Sequence, residues 1–172
     1  PSPIKGTVST IKPASTVRAS LQIPDGKTVG VGAPLVVTFC PAIQDKAAAE
    51  QALSVTTDKN VVGGWGWVAD EDFSGSGVCS QAHYRPKTYW PANTKVTFTA
   101  KLKGVNYGNG WGREDLSSTV NIGRSLIMQA EVSTHRLIVL VDGQVWRNYP
   151  VSYGKESVPG RTTVSGPHIV QE

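Results

Sequence analysis

The sequence predicts an all-β chain built on an immunoglobulin-like β-sandwich, and three observations predict it. Eighteen glycines and eleven prolines punctuate the 172 residues, and clusters of these two residues mark turns. Val and Thr recur in short alternating runs, and β-branched side chains suit a pleated surface better than a helix. Seven such runs fall within about 105 residues, the density of an immunoglobulin-like sandwich. With 39% apolar and 17% charged residues, disorder is excluded, and the length suffices for one ordinary core and part of a second.

The elements follow in order. Residues 7–11 form a short strand-like run closed by Lys12-Pro13, so 1–16 reads as a linker or the tail of a preceding domain. Apolar residues occupy every second position over 17–23, and Pro24-Asp25-Gly26-Lys27 supplies the turn after it. Residues 35–40, Leu-Val-Val-Thr-Phe-Cys, are nearly continuously apolar, as a strand buried on both faces requires. The pattern then turns helical: 45–53 is Ala-rich, with Asp45 at the N-cap position and Ala49 and Leu53 four apart. Leu53 leads into a strand over 53–57.

Residues 61–68 place Trp65 and Trp67 on one strand face, and 78–86 is the partner strand across an acidic, Gly/Ser-rich loop at 69–77. Residues 95–102 alternate cleanly, and 107–112 is a turn-rich loop before a strand over 117–122. The sandwich therefore spans 17–121. A second unit, 122–172, contains the strongest hairpin signal in the chain, Asp142-Gly143 between apolar runs over 135–141 and 144–152. About 50 residues of such a unit bury little surface alone.

Lys plus Arg total 17 against 13 Asp plus Glu, a net charge of +4 and a pI near 9.2. No Lys/Arg run interleaves with aromatics, so nucleic acid is not an expected partner. A mildly basic surface suits an anionic wall or membrane environment, and equally suits a solvated surface without a specific partner. No window reaches the roughly 18 apolar residues that span a bilayer, so any membrane association runs through an N-terminal anchor outside this sequence. The two cysteines, Cys40 and Cys79, lie far apart with no CxxC or His cluster to complete a zinc site. They read as a disulfide in an oxidising compartment, or else as two buried free thiols. No cofactor or metal is expected.

Several residues invite a chemical reading and have a plainer one. No cysteine or carboxylate follows His168 at a catalytic spacing, and it reads as a strand-face residue; His83 and His135 lie at strand edges, where a solvent-facing or hydrogen-bonded histidine explains each. Gly108-Asn109-Gly110-Trp111-Gly112-Arg113 lacks the Lys-Ser/Thr of a phosphate loop and reads as a turn. Trp65, Trp67, Trp90, Tyr84 and Tyr89 suit a sugar-stacking patch, but core packing explains them more simply. Asp70, Glu71 and Asp72 are consecutive, which suits a solvated loop better than converging calcium ligands.

Three stretches carry a family resemblance. The first is Gly26-Lys27-Thr28-Val29-Gly30-Val31-Gly32-Ala33-Pro34 running into the strand at 35–39, then the Ala/Glu helix and Leu53-Ser54-Val55. The second, most specific, runs from His83 to Val96 and contains Arg85-Pro86-Lys87-Thr88-Tyr89-Trp90-Pro91. The third is Ile122-Gly123-Arg124-Ser125, then Thr134-His135-Arg136, Asp142-Gly143 and Pro150-Val151-Ser152-Tyr153-Gly154-Lys155. Together they resemble the mycobacterial and actinobacterial type of L,D-transpeptidase, in which an immunoglobulin-like domain precedes a YkuD-like β-sandwich catalytic domain.

The resemblance implies an extracytoplasmic, membrane-anchored acyltransferase that forms 3-3 cross-links in peptidoglycan. Its partners would be peptidoglycan stem peptides, and β-lactams of the carbapenem class would acylate it. In this family a cysteine within Ser/Thr-His-Gly-Cys-x-Asn attacks the donor peptide, a neighbouring histidine takes its proton, and a thioester splits one exchange into two. Backbone amides stabilise the oxyanion. Neither Val78-Cys79-Ser80-Gln81 nor Phe39-Cys40-Pro41 matches that motif, so no residue of this chain inherits the catalytic role, and the catalytic segment is expected beyond Glu172. Residues 122–172 are then the N-terminal part of the catalytic domain, Ser152, Tyr153 and Lys155 precede the family's flap as substrate-proximal candidates, and the chain alone is expected to be inactive. The competing expectation is a non-catalytic, wall-associated spacer or binding module.

Overall fold

The computed structural model describes residues 12–73, 75, 77–155 and 157–169; the strand-like run at 7–11 lies outside them. Two sheets face each other. The first holds β1 (Thr16–Leu21), β3 (Leu35–Cys40), β5 (Gly63–Trp67), β6 (Ser80–Pro86) and β8 (Trp111–Gly112), in the order β5-β6-β3-β1-β8. The second holds β2 (Thr28–Val29), β4 (Leu53–Thr57), β7 (Lys95–Ala100) and β9 (Leu116–Ile122), in the order β2-β9-β7-β4. This is the all-β sandwich that the alternation predicts.

Local chemistry explains the joints. Gly26 takes φ +75° in the turn after β1, a region glycine enters without steric cost, and Asp25 Oδ1 accepts from the amide of Thr119 at 2.7 Å, tying that turn to β9. The helix α1 (Lys46–Gln51) starts where Asp45 Oδ1 accepts from the amide of Ala48 at 2.9 Å, which satisfies a backbone donor that the first helical turn leaves free. Two short strands had no counterpart in the sequence reading. β2 pairs parallel with β9, and β8 pairs parallel with β1. Two residues are too few to show alternation, and the loop at 107–112 supplies β8 only because β1 lies beside it.

The core runs along a chain of aromatic rings. Tyr107 meets Phe39 edge-on at 5.7 Å, Phe39 lies 5.8 Å from Trp67, and Trp65 packs edge-on against Tyr84 at 5.2 Å and Phe98 at 5.8 Å. Tyr84 stacks on Trp90 at 6.0 Å, and Trp90 is 2% exposed. Four of the five aromatics considered for sugar stacking therefore contribute to the core; Tyr89 stays half-exposed. Cys40 and Cys79 are joined by a disulfide that ties the end of β3 to the start of β6.

The third sheet is β10 (Leu126–Glu131), β11 (Arg136–Val141) and β12 (Gln144–Pro150), all antiparallel. Asp142 and Gly143 both have positive φ, 49° and 79°, the backbone of a tight two-residue hairpin turn. Asp142 Oδ1 accepts from the amide of Ser125 at 3.0 Å, and its own amide donates to the Ser125 carbonyl, so the turn is pinned to the start of β10. No strand was expected over 126–131. Its Leu-Ile-Met-Gln-Ala-Glu composition carries little β-branching, and pairing with β11 decides its conformation.

Candidate functional site

The residues singled out after β12 form a fastening rather than an open cluster. The Tyr153 hydroxyl donates to the Arg136 carbonyl at 2.7 Å, and its ring lies 6.4 Å from that of His135. The segment after β12 is thereby held against the start of β11. The Gly154 amide donates to Thr163 Oγ1 at 2.8 Å, and a Cβ on Gly154 would collide with the Arg161 carbonyl, so this position demands glycine for close backbone approach. The Lys155 carbonyl accepts from the amide of Val158. Ser152 and Lys155 have exposed side chains. Among the described residues, Tyr153 is the one of the three whose side chain makes a hydrogen bond.

The disulfide rules out a thiolate at either cysteine. Polar contacts link α1 to β5 and to Asp70 of the loop that follows. Lys46 Nζ reaches Asp70 Oδ1 at 2.8 Å and lies 5.5 Å from the centre of the Trp67 ring, while Trp67 Nε1 donates to Glu50 Oε2 at 2.9 Å. The hydrogen bond from Lys46 holds the Asp70 carboxyl below its ordinary value, against a smaller opposing effect of burial. Among the described residues no group of three or more His, Cys, Asp or Glu side chains is arranged to hold a metal.

Two histidines that look unrelated in sequence line the same cleft. His83, on the outer face of β6, and His168, in the segment after the third sheet, line one cleft together with Gln22, Gln81 and Arg85. Burial, and secondarily the charge of Arg85, push the His83 imidazole below its ordinary value. Half of this site had a sequence signal that the strand-edge reading of His83 passed over. Gln81, His83 and Arg85 alternate with Ala82 and Tyr84, which places three polar side chains on one face. The approach of 167–169 carried no sequence signal. His135 stands apart, with φ +55° at the end of a short 3-10 turn, Val132–Thr134.

The profile of the bacterial Ig domain family matches residues 2–106. The chain belongs to the bacterial Ig domain family. Its relatives are mycobacterial L,D-transpeptidases, as the resemblance carried by Arg85-Pro86 and Tyr89-Trp90-Pro91 implies. L,D-transpeptidase 5 of Mycobacterium tuberculosis is 43% identical over 171 residues, 99% of this chain and 37% of that protein. L,D-transpeptidase 2 of the same species is 32% identical over 165 residues, 95% of this chain and 38% of the relative. This bacterial Ig domain chain thus spans well under half the length of these two relatives. Among solved structures, LD transpeptidase LdtMt1 in complex with imipenem superposes with a TM-score of 0.68 at 30% identity, over 90% of this chain and 59% of that one. L,D-transpeptidase 3 of Mycobacterium tuberculosis in complex with a faropenem-derived adduct matches at a TM-score of 0.51 and 26% identity, over 88% and 53% of the two chains.

Proposed function

We propose that this chain is the immunoglobulin-like domain, 17–121, and the opening strands of the catalytic domain, 122–172, of a peptidoglycan L,D-transpeptidase that works outside the cytoplasmic membrane. The observation that carries the reading is the third sheet. Its central strand reads Arg-Leu-Ile-Val-Leu-Val, apolar on both faces, which is the composition of a strand covered by a layer on each side. Ile127 of the neighbouring β10 packs against the sandwich core, yet Leu126, Met128, Val145 and Trp146 remain 47–63% exposed. A sheet of this composition is the foundation of a second sandwich, and the alignment with L,D-transpeptidase 5 extends over 99% of this chain.

In this reading catalysis belongs to a cysteine in a Ser/Thr-His-Gly-Cys-x-Asn segment, and stem peptides and carbapenems engage that part of the enzyme. The residues here supply architecture. The sandwich holds the catalytic domain at a fixed distance from its anchor, and Tyr153 fixes the segment after β12 that leads towards the substrate groove, with the side chains of Ser152 and Lys155 exposed beside it. The test is intact mass before and after incubation with a carbapenem, run on the 172-residue chain and on the product of the longest reading frame containing it. The 18.3 kDa chain is expected to stay unmodified, and the longer product to gain one drug mass. A longer product that lacks the cysteine motif, or carries it and takes up no drug, would overturn the proposal in favour of a spacer or binding module.

A further inference from the structure

The outer face of the first sheet carries a cleft for which the transpeptidase reading has no use. Gln81, His83 and Arg85 project from β6, and the register sets Val36 beside His83 and Thr38 beside Gln81. On the other flank, Gly64 and Gly66 of β5 lie opposite Arg85 and His83. Neither glycine has a positive φ, and a Cβ on either would meet nothing within 4 Å. Backbone strain and crowding therefore do not explain them, whereas a Cβ on the adjacent Gly63 would sit 2.5 Å from the Arg85 carbonyl. Their effect is a bare strip that leaves His83 and Arg85 open from the side. Pro34 and Gln22, together with Pro167, His168 and Ile169, complete a cleft of about 400 Å³, within the range of small-ligand sites.

The polar groups define what fits. Among the described residues the Arg85 guanidinium has neither a carboxylate nor a hydrogen-bond partner, and its planar fork matches a carboxylate in bidentate fashion. Gln81 is oriented by donating from Nε2 to Thr38 Oγ1 at 3.0 Å, which turns its Oε1 to His83 Nε2 at 3.2 Å. With Nε2–H donating to that oxygen, the neutral imidazole offers Nδ1 as an acceptor. The site thus presents one positive charge, the acceptor nitrogen of His83, the side-chain amide of Gln22, the His168 ring with its Nε2 taken up by the Val164 carbonyl, and an apolar floor of Val36, Pro34 and Ile169. A monoanion with an adjacent N–H and a small apolar side chain satisfies all of these; a phosphate dianion leaves charge unmatched.

We infer that this cleft binds the C-terminal carboxylate end of a short peptide, with the carboxylate on Arg85 and the last peptide N–H directed to His83. The site is separate from the proposed catalytic chemistry and stands whether or not the polypeptide carries a nucleophilic cysteine. The test is an amide-resolved NMR titration of the 172-residue chain with N-acetyl-D-alanyl-D-alanine, its C-terminal amide, and inorganic phosphate. Saturable shifts at Val36, Gln81, His83 and Arg85 are expected with the free acid, with the amidated peptide about tenfold weaker. Arg85→Gln should weaken the acid about fivefold or more. Gly66→Leu, placed where open space tolerates a side chain, should block the cleft while leaving the spectrum of the core unchanged. Absence of saturable shifts, equal binding of acid and amide, phosphate binding as tight as the peptide, or undiminished affinity in both variants would each overturn the assignment.

Discussion

Trp90 ties the most specific stretch of the sequence to the stability of the sandwich. Its indole is 2% exposed and stacks on Tyr84, Nε1 donates to the Ala33 carbonyl at 2.7 Å, and its backbone amide donates to Val31 at 2.9 Å. The segment 85–91 is thus fastened to 31–34 through one residue. A buried tryptophan removes about 150–250 Å² from water, worth about 4–6 kcal/mol at about 25 cal/mol/Å². Partial collapse of the cavity brings the expected cost of Trp90→Ala to about 3–5 kcal/mol. Trp90→Phe keeps a ring against Tyr84 and loses the indole donor, a smaller cost of about 1–3 kcal/mol. Urea unfolding followed by far-UV circular dichroism, with the disulfide intact, reads both. At a slope of about 2 kcal/mol/M, the alanine variant should lower the midpoint by about 2 M. An alanine cost below about 1 kcal/mol would refute the placement of Trp90 in the core, and equal costs for the two variants would refute the weight given to the Nε1 hydrogen bond.

Three further outcomes follow from the geometry. Cys40 and Cys79 close a loop with a sequence separation of 39, so a Cys40→Ala/Cys79→Ala double variant should lose about 4 kcal/mol in the chain-entropy account, measured by the same unfolding experiment; an unchanged midpoint would count against it. Burial, assisted by Asp115, pushes the Tyr107 hydroxyl up from 10 to about 12, so the folded state keeps a proton that the unfolded chain releases. Stability from this group is complete below pH 10 and falls as the pH rises to about 12, by roughly 2–3 kcal/mol in total. Tyr107→Phe should remove that alkaline component from a stability-versus-pH curve, and it also removes a buried hydroxyl with no partner among the described residues. Finally, Gly63→Ala would drive a Cβ to within 2.7 Å of the Tyr84 ring, whereas Gly64→Ala meets open space. Melting temperature should drop for the first and hold for the second, and equal drops would contradict the register of β5 on β6.

Much of the fold was legible because alternation survives wherever one face is buried. Residues 95–100 alternate between exposed or half-buried and fully buried positions, as the sequence suggests, and Asp142-Gly143 needed only local backbone preference to specify a turn. What escaped was short or borrowed. β2 and β8 are two residues each and exist through parallel pairing with β9 and β1, and β10 exists through its ladder with β11. The substrate-proximal reading of Ser152, Tyr153 and Lys155 came from resemblance alone, since nothing local distinguishes an exposed Lys155 from any surface lysine.

Composition and period by themselves determined that this chain is an all-β sandwich with a second, hairpin-led unit, because those signals arise from each strand's own inward and outward faces. Tertiary structure alone decided which polar residues meet. His83 and His168 are 85 positions apart (168 − 83) and share a cleft only because the chain returns across the outer face of the sheet. Arg85 stands there without a partner among the described residues for the same reason, since contacts between distant segments depend on how the sheets and connections pack and leave no periodicity in the sequence.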